Sequence, residues 1–190
     1  MFEDKRSKKI ILVANCVFNQ NVKLDQLAVY PGAIKEAAEA LVDSGIGILQ
    51  MPCPEMLHLG LDRQVDRNSC PSPEEEKSRI AQRMTNADGK TFCRGLANSL
   101  VDQIEDYRKN GFEIVGLAGI NGSPTCGVES TWLNGREQDG QGVWIKTLTE
   151  ELNKKSLSIP MGGIKPGEPL KAVATVMELL DGKKPTDIKA

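Results

Sequence analysis

Three largely apolar runs that include β-branched residues, at 9–15, 46–52 and 113–119, alternate with segments of helical periodicity, and this constrains the fold most. Runs of this kind read as strands of a parallel sheet. Between the first two runs, Pro31 opens a helix in which Ile34, Ala37, Ala38, Leu41 and Val42 recur at helical spacing, and Ser44-Gly45 ends it. This is a βαβ unit, right-handed by the usual rule. Phe92, Leu96, Leu100, Val101, Ile104 and Tyr107 form a second helical stripe between about 91 and 110, stopped by Asn110-Gly111. Gly140-Gln141-Gly142 then leads into a helix from Val143 to Leu152, residues 157–161 read as a short fourth strand, and Pro169 opens a last helix with Val173, Val176, Met177 and Leu180 on its core face. The expected fold is α/β, one domain over 1–190, with a mainly parallel sheet of about four strands and helices on both faces. The polar stretch at about 54–90, with Pro71-Ser72-Pro73 ahead of Glu74-Glu75-Glu76, is long for a connection and reads as a lid or insertion, partly helical.

Composition narrows the function classes. With 39% hydrophobic residues, 26% charged and a formal charge of -2, the chain lacks the basic excess of a nucleic-acid binder. The apolar run after Lys9 is too short to span a membrane and no small-residue cleavage site follows it, so a cytoplasmic protein is expected. Five widely spaced cysteines argue against a disulfide framework and leave reduced thiols for metal, catalysis or burial.

Each of the three apolar runs gives out close to a cysteine: Cys16, Cys53 and Cys126. Were the runs parallel strands of one sheet, the three sulfurs would converge at its carboxyl edge, where open α/β sheets place their ligands. Three converging thiols point to a metal or iron–sulfur site with an open position. The bland rival is that a cysteine is a small hydrophobe, most often buried. Cys70 in the polar segment and Cys93 on a helix take that reading, whereas Pro52-Cys53-Pro54-Glu55 and Ser123-Pro124-Thr125-Cys126-Gly127 are rigid turns that present a side chain.

Asn15-Cys16 after the first strand, Cys53-Pro54-Glu55 after the second, Ser123-Pro124-Thr125-Cys126-Gly127 after the third and Gly140-Gln141-Gly142-Val143 before the next helix resemble, in that order, the DUF523 family over roughly residues 9–161. That family includes the thiouracil desulfurases, or desulfidases. The resemblance implies a 4Fe-4S cluster held by Cys16, Cys53 and Cys126, with zinc as a substitute after aerobic handling, and non-redox cleavage of a C–S bond by water in a small thiolated compound, thiolated nucleobases among them. Glu55, two residues from an implied ligand, is the candidate acid/base, against a rival role as a backbone cap or solvated carboxylate. Ser123 has a similar claim through its hydroxyl, against simple turn chemistry. Where many members carry a lysine and an arginine before the serine, this chain has Gly119-Ile120-Asn121-Gly122, the mark of a divergent branch.

Other residues are read more plainly. His58 in a polar segment is expected to be solvated, and Arg63 and Arg67 either bind an anionic substrate or pair with Asp62 and Asp66. Trp132 and Trp144 read as core residues of a helix, with a stacking platform as the rival. Gly140 and Gly142 either bring a helix N-terminus to an anionic group or simply form a turn. No dinucleotide or P-loop motif occurs. The expected partner is a small thiolated substrate, with no nucleic acid polymer and no membrane. Two other readings stand beside the enzyme: a non-catalytic sensor binding metal, cluster or sulfide at the same thiols, and an α/β small-molecule module whose cysteines are incidental.

Overall fold

The structure is a computed structural model that describes residues 4–66 and 68–182. Its elements are β1 (Lys9–Val13), α1 (Asn15–Phe18), a 3-10 turn (Gln20–Val22), α2 (Lys35–Asp43), β2 (Gly47–Gln50), α3 (Pro54–Leu59), α4 (Pro73–Thr85), α5 (Ala87–Lys109), β3 (Glu113–Ile120), β4 (Ser130–Leu133), β5 (Arg136–Asp139), α6 (Val143–Lys154), β6 (Met161–Ile164) and α7 (Pro169–Leu180).

Four parallel strands form the main sheet in the order β2-β1-β3-β6. The central strands β1 and β3 are buried along nearly their whole length, as strands covered on both faces must be. The connection from β1 to β2 runs one way along the sheet and those from β2 to β3 and β6 the other, which places α2 on one face and α5 and α6 on the other, and α7, after the last strand, packs with α2. The layers meet closely: a Cβ on Gly116 of β3 would stand 2.9 Å from Leu179 of α7. Among the described residues no helix is long and apolar enough to cross a membrane.

Several elements differ from the sequence expectation. Residues 54–90 are largely helical. Ser72 Oγ accepts from Glu75 N at 3.2 Å while Glu75 Oε2 accepts from Ser72 N at 2.7 Å, a capping box that starts α4. Asn86 caps α5 by accepting from Gly89 N at 2.8 Å, so that helix starts at Ala87 instead of about 91. The last strand lies at Met161–Ile164, beyond the expected 157–161, because Pro160 has no N–H to give and it is Gly162 and Gly163 that pair with Ala118 and Gly119. α2 begins at Lys35 behind the buried Ile34, and Val42 faces solvent. On α7 the buried stripe is Ala172, Val176 and Leu179, which turns Met177 outward. The β4–β5 hairpin falls outside the expected elements, although its turn, Asn134-Gly135 with φ of 54° and 75°, is the pairing that favours such hairpins.

Candidate functional site

At the carboxyl edge of the sheet lies a cavity of about 370 Å³, and the segment following each of the four strands lines it: Cys16 beyond β1, Cys53 and Glu55 beyond β2, Asn121 to Pro124 and Cys126 beyond β3, Lys165 and Pro166 beyond β6. Strand order reverses between β1 and β3, so the cavity opens where α/β sheets bind ligands. Cys16, Cys53, Cys126, Glu55 and Ser123 all reach it.

Main-chain and amide hydrogen bonds fix the three cysteine segments. Cys16 sits in the first turn of α1, and the buried Gln20 donates from Nε2 to Cys16 O at 2.5 Å while its Oε1 accepts from Val29 N at 3.2 Å. Gln50 Nε2 donates to Asn15 O at 2.8 Å and Asn15 Nδ2 to Met51 O at 3.3 Å, which laces the Cys16 turn to the Cys53 turn. Cys53 is the N-cap residue immediately before α3, held between Pro52 and Pro54. In the third turn Ser123 Oγ accepts from Thr125 N at 3.2 Å and Cys126 N at 3.0 Å, and Asn121 Oδ1 accepts from Val128, Glu129 and Ser130 N. The turn chemistry expected as a rival for Ser123 is therefore present, in a residue that also lines the cavity.

The glycines before α6 serve this turn as well. Gly142 N donates to Gly127 O, Val143 N to Pro124 O, and Trp144 N and Ile145 N to Thr125 O. The first N–H groups of the helix already have carbonyl partners, so the idea that this N-terminus greets an anion is replaced by one in which it clamps the Cys126 turn.

Burial raises all three thiols above their ordinary 9.0: Cys16 upward, Cys53 to about 12, and Cys126 well above that ordinary value. Cys53 and Cys16 add to the rise at Cys126, and Glu55 adds to it at all three, so the sulfurs and this carboxylate share one electrostatic neighbourhood. Left to themselves the thiols stay protonated; thiolate character has to come from a bound cation or cluster, which displaces the protons. Glu55 neither caps the backbone nor faces open solvent: its side chain is 15% exposed and Oε2 stands 3.7 Å from Arg63 Nε.

Arg63, read from the sequence as binding an anionic substrate or pairing with Asp62, is an interior residue. It does not pair with Asp62; it is 1% exposed, giving Nη1 to Gly60 O and Leu61 O and Nη2 to Val22 O, with Cys53 Sγ at 3.7 Å from Nη2. Lys23, Lys77 and Lys165 also line the cavity, the last paired with Glu137 at 2.8 Å. Positive charge thus enters from elements remote from the Ser123 motif. Arg67 lies outside the described residues. His58 is away from the cavity, with Nε2 3.4 Å from Asp88 Oδ2 and its ring 4.8 Å from that of Phe92. Trp144 is a buried core residue of α6, whereas Trp132 is on β4 and not on a helix, with Lys77 Nζ 4.7 Å above its ring and Nε1 donating to Ser78 Oγ. Cys93 is buried in the core, and the exposed Cys70 lines a neighbouring cavity of about 630 Å³.

Among the described residues no group of three or more His, Cys, Asp and Glu side chains is placed to hold a single metal ion. A multi-iron cluster spans more space than one ion and takes thiolate ligands spread around it, and three thiols on three separate turns are a donor set of that kind. Fold and site together define a parallel α/β protein with a three-thiol cavity at the sheet's switch point. The chain is similar to an uncharacterized protein of Methanocaldococcus jannaschii, 27% identical over 154 residues, 81% of this chain and 84% of that one. No family model matches the chain. No solved structure matches it.

Proposed function

We propose that this chain is an enzyme of the desulfidase type, a divergent relative of the DUF523 family, that hydrolyses the C–S bond of a small thiolated compound. The observation that supports this most is the meeting of Cys16, Cys53 and Cys126 with Glu55 and Ser123 around one cavity of about 370 Å³, a volume suited to a small heterocycle such as a thiolated nucleobase. Cys16, Cys53 and Cys126 would hold a 4Fe-4S cluster. When bound, such a cluster with one iron lacking a protein ligand supplies Lewis acidity toward sulfur at the open position.

The chain's own residues do the rest. Water adds at the thiocarbonyl carbon and sulfur departs as hydrogen sulfide, leaving the oxo compound with no net redox change. Glu55 accepts the proton of the water and returns a proton to the departing sulfur, a role open to a half-buried carboxylate that is spent on neither capping nor solvent. Ser123 orients the substrate through its O–H while its lone pairs hold the Cys126 turn. The lysines at the rim favour polar or anionic ring substituents.

The test is sulfide release from a panel of thiolated nucleobases by anaerobically reconstituted protein. Wild type releases sulfide stoichiometric with the oxo product, and Glu55→Gln slows release roughly 10²–10⁴-fold with its iron content unchanged. Cluster-loaded wild type that releases none from any member of the panel contradicts the reading.

A further inference from the structure

Burying Arg63 is expensive. It is 1% exposed, its backbone lies in the left-handed region at φ 54°, and among the described residues its Nε has no hydrogen-bond partner, Glu55 Oε2 standing off at 3.7 Å. A buried ion pair stabilises a fold no better than well-packed apolar residues of the same volume. Non-glycine residues in that backbone region persist where their surroundings enforce them, and they gather at functional sites.

The bonds that hold this guanidinium are not those of an ordinary ion pair. Three main-chain carbonyls grip it at 2.7–2.9 Å: Gly60 and Leu61 after α3, and Val22 in the turn that follows Cys16. Anchored there, it presents Nε to Glu55 and Nη2 to Cys53 Sγ. One side chain therefore connects the segment behind Cys16, the start of α3 and the loop after α3. Three thiolates and a carboxylate in one cavity carry four negative charges, and a cation fixed between Glu55 and Cys53 offsets part of them.

We infer that Arg63 is a positioning residue of this site, holding Cys53 and Glu55 in register with Cys16 and supplying fixed positive charge beside the cluster that the proposed function requires. The inference rests on that function. Loss of an outer partner of a metal ligand commonly weakens metal binding about 10–100-fold.

The test compares anaerobically reconstituted wild type, Arg63→Met and Arg63→Lys in two readouts apart from activity: the rate of iron loss to a chelator, and the midpoint potential of the cluster. Circular dichroism melts of the metal-free proteins establish folding. Arg63→Met loses iron about 10–100-fold faster and has a more negative potential, because the reduced cluster has lost a nearby cation. Arg63→Lys keeps a potential near that of wild type yet also loses iron faster, since one ammonium cannot span three carbonyls, a thiol and a carboxylate. Should Arg63→Met not fold, the iron-loss rate of Arg63→Lys decides. Wild-type rates and potentials in both variants overturn the inference and leave the proposed function standing; a wild type that takes up no cluster overturns both.

Discussion

Gly142 lies so close to Thr125 that a Cβ on it would stand 2.5 Å from the Thr125 carbonyl carbon and oxygen. Its φ of -65° suits any residue, so the glycine is required for space and not for conformation. Gly142→Ala therefore pries α6 from the Cys126 turn, at a cost of roughly 1–3 kcal/mol. Gly140, at φ 129° and with nothing within 4 Å of where a Cβ would stand, offers the contrast. Gly140→Ala strains only the backbone. Urea unfolding with mass-mapped alkylation of Cys126 separates the two: Gly142→Ala destabilises the fold and exposes Cys126, whereas Gly140→Ala leaves Cys126 as protected as in wild type. Equal protection in both variants would sink the clamp.

Asn121 carries a comparable load through hydrogen bonds. Its Oδ1 accepts from three successive amides, Val128, Glu129 and Ser130, and its Nδ2 donates to Gly163 O at 3.3 Å and to Glu129 Oε2 at 2.7 Å. Asn121→Ala leaves those amides without their acceptor and costs about 1–3 kcal/mol. Hydrogen exchange locates the loss: protection of amides 128–130 falls more than that of β1. Uniform loss across the protein would mean that Asn121 does not organise this turn locally.

How far the sequence reveals the site follows from these residues. β1, β2 and β3 are apolar and β-branched enough to announce themselves, and the cysteines that follow them fall at the sheet's edge by topology alone. β6 hides because Met161-Gly162-Gly163-Ile164 has little intrinsic strand preference and is made a strand by pairing with β3. The signals for α4 and for the β4–β5 hairpin, Ser72 to Glu75 and Asn134-Gly135, are present in the chain and are masked by the polar residues around them. Arg63 has no local signal. A charged residue between Asp62 and Gln64 looks like surface, and only three distant or non-helical carbonyls converging on it make it interior.

Cys93 gives a pH dependence with a definite sign. Burial in the core pushes its thiol to about 12 from an ordinary 9.0. Above pH 9 the unfolded chain releases this proton while the native protein keeps it, so the native state binds more protons and stability falls as pH rises. The contribution is fully present below about pH 9 and is lost as pH climbs toward 12. The slope from one such group approaches about 1.4 kcal/mol per pH unit. Metal-free Cys93→Ala, less stable than wild type at pH 8 by roughly 1 kcal/mol, closes that gap between pH 9.5 and 11 in urea melts. A gap that stays constant across that range would show that Cys93 does not retain its proton.

The claim on which the rest depends is that Cys16, Cys53 and Cys126 act as one ligand set. Iron and acid-labile sulfide, with the ultraviolet–visible spectrum, measured on anaerobically reconstituted wild type and on Cys16→Ser, Cys53→Ser, Cys126→Ser and Cys93→Ser, test it most directly. The account predicts about four irons and four sulfides per chain in wild type and in Cys93→Ser, and loss of iron, sulfide and colour in each of the other three. A wild type that holds no cluster, or cavity-cysteine variants that hold it as well as wild type does, would contradict it.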